Sequence, residues 1–348
     1  MRFGAASSDG EAAFPDLAEA REVLIIKPSS LGDIVHTLPA VALLKQMWPQ
    51  LSVRWIANTE WAPLLEGNPL LTEVIPFPRS EFRGLVRGFR ALRWLSNLRH
   101  LVPHVALDFQ GLFRSALMAR ASRARFVAGL SDAREAAVFF YSRTIAVDAG
   151  AHAIDRYLTL VRALGAEGKT PLTANLLPAG EQPNVALPGS FIVLHPFARG
   201  EGKSLTVAQI LTLARLLSPH AVVVAGVCAH HSRIEWPENV VDLTNRTTLL
   251  ELVWVMRHAS FVVSVDSGPM HLADALDRPL LAIHTWSDPR KVGPYSEAAW
   301  VWKGGKMTRR REIDDALARR KNLPDDEDLA AIAAHVGAHA ASSQVDSS

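Results

Sequence analysis

The chain has 348 residues, of which 49% are hydrophobic and 21% are charged, a composition typical of soluble globular domains with sizeable cores. The formal net charge of +2 is too small to indicate a nucleic-acid-binding protein. No apolar run is long enough to span a bilayer, and the N-terminus lacks the basic start and apolar core of a signal peptide.

The first half of the chain alternates between buried-strand and helical patterns. "VLIIK" predicts a strand, and a helical pattern follows it as far as Met47. Further strands are predicted at "SVRWIA", "EVIPFP", "HVALDFQG", "ARFVAGL" and "RTIAVD", and a helix over residues 80–100. The next segment is rich in Gly and Pro and weakly periodic, which indicates a linker.

The same alternation returns in the second half. Strands are predicted at "FIVLHP", "AVVVAG", "NVVDLT", "SFVVSVD" and "PLLAIHT", and helices over residues 204–218, 247–258, 270–276 and 325–341. Strands that alternate with helices predict an α/β fold with a doubly wound parallel sheet in each half. Ligands bind at the carboxyl ends of such strands, so we expect the site in a central cleft that the two domains face.

These patterns predict five segments. Residues 1–21 form a flexible N-terminal extension, 22–165 a Rossmann-like domain, 166–190 the linker, 191–341 a second Rossmann-like domain, and 342–348 a flexible tail. The single cysteine, Cys228, excludes an intramolecular disulfide and suits a reducing compartment. We therefore expect a cytoplasmic protein.

The loop after the first strand reads "KPSSLGD" and precedes a helix. Ser29, Ser30 and Gly32 are small and allow a ligand to approach the backbone, so we place them near a donor or acceptor substrate. Asp33 puts a carboxylate where a helix N-terminus normally attracts anions. It is either a helix cap or a catalytic group.

A similar strand–turn–helix pattern, "VVSVDSGPMHLADAL", spans residues 262–276. Ser267 and Gly268 follow the strand, and His271 falls in the first helical turn, which predicts a phosphate-sized cradle. Asp266 would repel a phosphate, so it is better suited to binding sugar hydroxyls or to holding the shape of the loop. The alternative is an ordinary capped helix with His271 in the core.

A third loop, "LHPFARGEGKSL", carries Arg199 and Lys203. A lysine in a glycine-rich loop suits a diphosphate, although the Gly-x-x-x-x-Gly-Lys spacing of a P-loop is absent. A solvated lysine is the alternative. The lack of Gly-x-Gly-x-x-Gly after the first strand argues against a Rossmann dehydrogenase.

Together the loops resemble the lipopolysaccharide heptosyltransferases, glycosyltransferase family 9. The matching stretches are "KPSSLGDIVHTLPA", "DFQGLFRSAL", "AREAAVFFYSR", the "HP…K" loop and "FVVSVDSGPMHLADAL", and they occur in the family's order over roughly residues 22–296. The middle stretches, with "HAIDRYLTLVRALG", look most like heptosyltransferase I.

The resemblance implies a GT-B fold and an inverting, metal-independent transfer of heptose from an ADP-activated donor to the Kdo of Kdo-lipid A. It implies no cofactor, because ADP-heptose is a co-substrate. It makes Asp33 the general base and Lys203 a diphosphate contact. It assigns the donor site to Asp266, Ser267, Gly268 and His271. It also makes the second domain the nucleotide-sugar-binding one and the first the acceptor-binding one.

Two features depart from the family pattern. The family often has a glutamate for the nucleotide ribose after a segment like "VVVAG", where this chain has His230 and His231. The loop before Lys203 is one residue longer than the pattern. The nucleotide contact that replaces the glutamate is therefore not predicted.

The acceptor side is predicted from a basic amphipathic segment, residues 79–99, in which Phe82, Leu85, Val86, Phe89 and Leu92 share one face. An arginine stripe suits an anionic glycolipid or the inner face of an anionic membrane, to which the protein would bind peripherally. A solvated charged face is the alternative. The predicted acceptor-binding residues are Gln110, Arg83, Arg87, Arg90, Arg123 and Arg134.

Two other functions stay open at this point. One is a GT-B relative that uses a different sugar nucleotide or acceptor, including an epimerase-like enzyme. The other is a nucleotide-sugar-binding protein without turnover. The presence of both Asp33 and Lys203 favours an enzyme, because binding alone needs no general base.

Overall fold

The computed structural model describes residues 13–82, 87–170, 174–200, 202–228 and 234–345; for Arg87 and residues 341–345 it describes the backbone only. The chain divides into two compact units. The first comprises Met1–Ser29 and Thr37–Pro171, and the second comprises Ser30–His36 and Leu172–Ser348. The division passes through the first helix, so the beginning of that helix is part of the second unit.

The first unit contains a six-stranded sheet in which all neighbouring strands are parallel. Its strands are β1 (Glu22–Ile26), β2 (Ser52–Asn58), β3 (Glu73–Phe77), β4 (Val105–Asp108), β5 (Phe126–Leu130) and β6 (Arg143–Ile145). Their spatial order is β3-β2-β1-β4-β5-β6. The winding direction changes between β1 and β4, and such switch points are where doubly wound sheets bind ligands.

The α-helices among the described residues of this unit are α1 (Leu31–Met47), α2 (Arg87–Asn97), α3 (Phe113–Ala121) and α4 (Ala153–Arg162); the first three connect strands of the sheet, and α4 follows β6. The helix predicted over residues 80–100 is shorter than expected. Short 3-10 turns at Arg79–Glu81 and Leu98–His100 flank α2. Residues 83–86, which include the predicted face residues Leu85 and Val86, lie outside the described residues.

The second unit contains a seven-stranded sheet. Its strands are β7 (Ile192–His195), β8 (Val222–Gly226), β9 (Val240–Thr244), β10 (Phe261–Val265), β11 (Leu280–Ile283), β12 (Trp300–Lys303) and β13 (Lys306–Thr308). The order is β13-β12-β11-β10-β7-β8-β9, and only the β12–β13 pair is antiparallel. The predicted α/β class with doubly wound parallel sheets is confirmed in both units.

The helices of the second unit are α5 (Val207–Leu216), α6 (Leu249–His258), α7 (Gly268–Ala275), α8 (Pro289–Val292), α9 (Asp315–Ala318) and α10 (Asp326–Val345). The sequence patterns did not predict the β12–β13 hairpin. Its turn is Gly304–Gly305, with φ angles of 58° and 84°. A Gly-Gly pair between two short apolar runs is the signal that was available.

The two cores explain why the central strands read as continuous apolar runs. Residues Val23–Ile26 of β1 are completely buried, as expected of a strand that is covered on both faces of a parallel sheet. In the second unit α10 packs on α5 and contributes Leu329, Ile332 and Val336 to the core. Within the described residues, no helix combines the length and the apolar character that crossing a membrane requires.

Candidate active site

The first part of the site is the beginning of α1. Ser30 precedes the helix, and Asp33 occupies its third position. One carboxylate oxygen of Asp33, Oδ2, accepts hydrogen bonds from the Ser30 backbone N–H (3.0 Å) and from the Ser30 hydroxyl (2.7 Å). This is half of a capping box, so Ser30 takes the cap position and Asp33 ties the loop to the helix. Asp33 itself remains partly exposed.

The beginnings of α1 and α7 approach each other closely, and both belong to the second unit. A Cβ added at Gly32 would lie 2.4 Å from His271 Cδ2, and one added at Gly268 would lie 2.9 Å from the Leu31 side chain. Neither position has room for a larger residue without displacement of its neighbour. This contact explains the two small residues better than a need for backbone flexibility, because neither glycine has a positive φ.

A histidine pair joins the same two helices. His36 Nε2 lies 2.9 Å from His271 Nδ1, and the two rings meet edge to face with centroids 4.1 Å apart. Burial lowers the pKa of His271 to about 4, although the carboxylates of Asp266 and Asp33 act in the opposite direction. His271 is therefore a neutral imidazole at pH 7, within the electrostatic reach of Asp33.

The second part of the site is an ion pair. Lys203 Nζ lies 3.2 Å from Asp266 Oδ2. Burial by itself would raise the pKa of Asp266, but His284, the Ser287 hydroxyl and Lys203 outweigh burial and hold that pKa below its usual range. Lys203 also acts on His271. The Asp33 carboxylate and the Lys203 ammonium, which the sequence placed on separate loops, thus act on one imidazole.

The glycine-rich loop between β7 and α5 holds Lys203 in place. Gly200 and Gly202 adopt φ angles of 106° and 72°, which side chains rarely adopt. The Thr285 hydroxyl donates to the Gly202 carbonyl at 2.7 Å, and Ser204 Oγ accepts from the Ala198 N–H at 2.9 Å. Arg199 is exposed on this loop.

The N-terminus of α7 is open, in the sense that no side chain caps it. Ser267 takes the position before the helix with an extended backbone, and its side chain makes no capping hydrogen bond. Its hydroxyl lies instead 3.3 Å from His195 Nδ1. Pro269 follows at the second helical position. A helix N-terminus without a side-chain cap directs its backbone N–H groups outward, which suits a phosphate.

The structure adds buried polar residues that the sequence patterns did not single out. His284 follows β11, is completely buried, and places Nδ1 2.8 Å from Ser287 Oγ. Burial lowers its pKa to about 4, against the opposing charge of Asp266. Lys303, at the end of β12, is also buried and donates to the Ser287 carbonyl at 2.9 Å. The available signal was that β10, β11 and β12 are neighbours, so their carboxyl ends meet.

The first unit has its own polar network where β1 and β4 end. Gln110 Oε1 accepts from the Ser29 N–H at 3.2 Å. Buried Asp108 accepts from the Gln110 and Gly111 N–H groups and from the hydroxyls of Ser115 and Tyr141, at 2.8–3.0 Å. Gln110 was predicted to line the acceptor site; here its amide oxygen supports the loop that leads to Asp33.

Nearby, Lys27 is buried and donates to the Phe109 carbonyl (2.9 Å) and to the Tyr157 hydroxyl (2.8 Å). It ties the end of β1 to the end of β4 and to α4. The sequence patterns did not single out this lysine.

The predicted arginines do not all lie together. Arg134 is exposed after β5, and its N–H donates to the Gly111 carbonyl at 2.8 Å, so it lies at the same edge of the sheet as Gln110. Arg90 is exposed on α2. Arg123 lies in the turn before β5, at the opposite edge. Arg83 and the Arg87 side chain, like His230 and His231, lie outside the described residues.

The described residues include no group of three or more His, Cys, Asp or Glu side chains placed to hold a metal ion.

Comparison with solved structures identifies the fold. The chain superimposes on E. coli heptosyltransferase WaaC in complex with ADP-2-deoxy-2-fluoro heptose with a TM-score of 0.69 and 26% identity, over 81% of this chain and 93% of that one. The two sheets and this likeness identify the fold as that of a glycosyltransferase of the GT-B type. The chain belongs to glycosyltransferase family 9 (heptosyltransferase), whose family model matches residues 93–314.

Curated relatives agree with this assignment. Lipopolysaccharide heptosyltransferase 1 of Pseudomonas aeruginosa is 30% identical over 79% of this chain and 82% of its own length. The protein of the same name from Salmonella typhimurium is 28% identical over 79% of this chain and 92% of its own length. The predicted family and the predicted likeness to heptosyltransferase I are confirmed, and so is the prediction of a glycosyltransferase.

Proposed function

We propose that this glycosyltransferase moves a heptose from an ADP-activated donor to the Kdo of Kdo-lipid A, by a single inverting displacement that needs no metal. The observation that carries the proposal is the convergence of the Asp33 carboxylate, the Lys203–Asp266 ion pair and the open N-terminus of α7 around His271. The names of the relatives support the substrate class.

On the donor side, the second unit binds the nucleotide sugar. The leaving ADP gains negative charge as the bond from its phosphate oxygen to the anomeric carbon breaks. Lys203, with Arg199 on the same loop, and the backbone N–H groups of Ser267 and Gly268 stabilise that charge. Asp266 orients Lys203 and is available to sugar hydroxyls. His271, which is neutral, supplies a single N–H donor without adding charge.

On the acceptor side, Asp33 takes the proton from the attacking Kdo hydroxyl as that oxygen bonds to the anomeric carbon. The hydrogen bonds from Ser30 fix the orientation of the carboxylate, and partial exposure leaves it accessible to a substrate. Because one displacement inverts the anomeric configuration, one base and one stabilised leaving group are sufficient.

The first unit binds the anionic acceptor through Arg90 and Arg134, with Arg83 and Arg87 in the same basic segment. Gln110 acts through the Ser29 loop. Arg123 has no part in this proposal, because it lies at the other edge of the sheet from Gln110. We further propose that the enzyme works in the cytoplasm, where it binds peripherally to the inner membrane that carries the acceptor.

The decisive experiment is Asp33→Asn. The amide still accepts a hydrogen bond from the Ser30 N–H, but it does not take up a proton. We expect transfer from ADP-heptose to Kdo-lipid A to fall by about 10²–10⁴-fold. Donor affinity, measured by calorimetry, should stay within about twofold, because the proposed donor contacts are not made by Asp33.

Asp155 provides a matched control, because it occupies the same third position in α4. Asp155→Asn removes a first-turn carboxylate of the same kind and should leave transfer at the wild-type rate. Transfer that persists in Asp33→Asn would disprove the general-base assignment.

Product analysis separates the alternatives. The product anomer, determined by NMR, tests inversion, and activity in EDTA tests independence from metals. Release of an altered sugar nucleotide without an acceptor would indicate an epimerase. Donor binding without any product in the wild type would indicate a non-catalytic binder.

A further inference from the structure

The first unit exposes an unusual set of aromatic side chains. Among the described residues the three exposed phenylalanines are Phe89 (72% exposed), Phe113 (46%) and Phe139 (87%), and all three belong to this unit. Leu92 on α2 is 68% exposed. Single exposed apolar residues are ordinary, whereas a group of them on neighbouring elements indicates an interaction surface.

These residues lie on elements that pack together. Helix α2 contacts α3, and α3 contacts the 3-10 turn Ala137–Phe140. Phe113, the first residue of α3, packs its ring edge to face on Phe140, with centroids 5.4 Å apart. We call this set, Phe89, Leu92, Phe113 and Phe139, the aromatic surface.

Helix α2 buries only part of its apolar surface, because Trp94 and Leu95 pack on the core while other apolar side chains stay exposed. Trp94 faces the interior, packs on Phe77 and Phe82, and donates its indole N–H to the Pro76 carbonyl at 3.1 Å. Phe89 and Leu92 lie three residues apart on the outer side. The predicted apolar face, which a soluble helix would bury, is therefore split, with Phe82 packed inward and these two residues exposed.

The charges on these elements have predominantly one sign. With the 3-10 turn before α2 and the residues just before Ala137, their described charged side chains are six arginines and two glutamates: Arg79, Arg90, Arg93, Arg114, Arg120, Arg134, Glu81 and Glu135. Arg114 is partly buried, which lowers the pKa of its guanidinium, and the nearby Arg79 lowers it further. Guanidinium groups beside exposed aromatic rings suit a surface that is both anionic and apolar.

The turn that presents Phe139 has a strained backbone. Glu135 and Ala136 both adopt positive φ angles, 56° and 61°, although neither is a glycine. Buried Ala137 anchors the turn, and Phe139 extends from it into solvent. Positive φ angles at two non-glycine residues store backbone strain, and strain of this kind concentrates in functional segments.

From these features we infer that the aromatic surface docks on an anionic lipid bilayer, with Phe89, Leu92 and Phe139 entering the interface and Arg90 and Arg93 binding phosphate headgroups. A second copy of the chain fits less well, because a symmetric contact would bring the same arginines together. The inference rests on the proposed function, since a lipid-anchored acceptor is what brings the enzyme to a membrane. It adds the surface and the residues that make the contact.

The test places a polarity-sensitive fluorophore on single cysteines in a Cys228→Ser background. Phe139→Cys carries the probe on the aromatic surface. Val227→Cys, which replaces an apolar side chain of similar exposure (82%) in the second unit, is the matched control. With vesicles of phosphatidylcholine and phosphatidylglycerol, the probe at position 139 should shift to shorter wavelength, and the probe at position 227 should not. Pure phosphatidylcholine should give little shift.

Vesicle co-sedimentation measures how much the arginines contribute to membrane binding. Arg90→Ser with Arg93→Ser should weaken binding to anionic vesicles by about 25-fold, at about 1 kcal/mol for each arginine. The control pair, Arg120→Ser with Arg125→Ser, replaces exposed arginines at the other edge of the sheet and should bind like the wild type.

Three outcomes would overturn the inference: no vesicle binding at low salt, an equal shift at positions 139 and 227, or lipid-independent dimers that Phe139→Ser dissociates. Transfer to a short-chain, detergent-soluble Kdo acceptor is measured in parallel. If the wild type fails there, the proposed function is wrong, whereas vesicle binding without any acceptor decides the inference by itself.

Discussion

The two units use their charged residues in opposite ways. In the second unit His271, His284 and Lys303 are buried, Asp266 is largely buried, and these groups are held by one another and by Ser287. In the first unit the arginines of the proposed acceptor surface are mostly exposed. A nucleotide diphosphate of fixed shape suits a rigid, preorganised site, whereas a large flexible glycolipid suits a surface of mobile charges. Substitutions should therefore have large effects in the second unit and small ones in the first.

The largest effect is expected at Lys203. Lys203→Met removes the cation proposed for the leaving diphosphate and leaves Asp266 without its ion-pair partner. We expect transfer to fall by about 10²–10³-fold, as for the loss of a single oxyanion-stabilising group. Steady-state kinetics with ADP-heptose measures the change.

Lys306→Met is the control, because this lysine is exposed on β13 in the same unit, and it should leave the kinetics unchanged. A loss of less than about threefold in Lys203→Met would mean that the ion pair is only structural and that the proposed donor site is wrong.

An intermediate effect is expected on stability as a function of pH. The folded-state pKa of His284 is about 4, below the ordinary value of 6.5, so the unfolded chain binds the extra proton between these values. Stability should therefore be full above about pH 6.5 and decline as the pH falls towards 4. The groups that act on this imidazole are Asp266, Lys303, Lys203 and Asp288.

His284→Asn keeps a side-chain partner for Ser287 but does not titrate. The free energy of unfolding of the second unit is measured with urea at each pH. Between pH 6.5 and 4 it should decline less in this variant than in the wild type, by on the order of 2–3 kcal/mol. The exposed His100→Asn should reproduce the wild-type decline. Equal declines in all three proteins would show that His284 is not buried as a neutral group.

The smallest effect is expected at the exposed arginines. Arg134→Ala should raise the KM for a Kdo-bearing acceptor by about twofold to fivefold, because exposed charge pairs contribute only about 0.2–1 kcal/mol and are screened by salt. The effect should disappear at high ionic strength, and the KM for the donor should not change.

Arg120→Ala, at the end of α3 on the other edge of the sheet, is the matched control. A hundredfold effect of Arg134→Ala would contradict the contrast between the units, since it would reveal a rigid, desolvated acceptor site.

Sequence patterns predicted most of the strands, but they missed one hairpin and did not show which face of α2 is buried. The strands "VLIIK", "FIVLHP" and "SFVVSVD" were recognised because strands buried on both faces are short and apolar throughout. The hairpin at Gly304–Gly305 was missed, because β12 and β13 have only four and three residues and give too little periodicity. Helix α2 was recognised, but the pattern did not show which of its faces is buried.

The residues of the site also divide into those that sequence patterns predicted and those that they missed. Asp33, Lys203, Asp266 and His271 were selected because each lies in a loop or first helical turn after a strand, where α/β proteins bind ligands. His36 and His284 were missed. A histidine within a helix or at the end of a strand carries no local signal until the tertiary structure shows what it contacts.

By itself the sequence determined the fold class, the family and the loops that carry chemistry, because strand periodicity and loop motifs are local properties of the chain. Only the tertiary structure decided that α1 and α7 meet at Gly32 and Gly268, that His36 pairs with His271, and that Phe89 and Phe139 are exposed. Each of these depends on which elements pack together, and residues far apart in the chain, such as His36 and His271, meet only when both helices are in place.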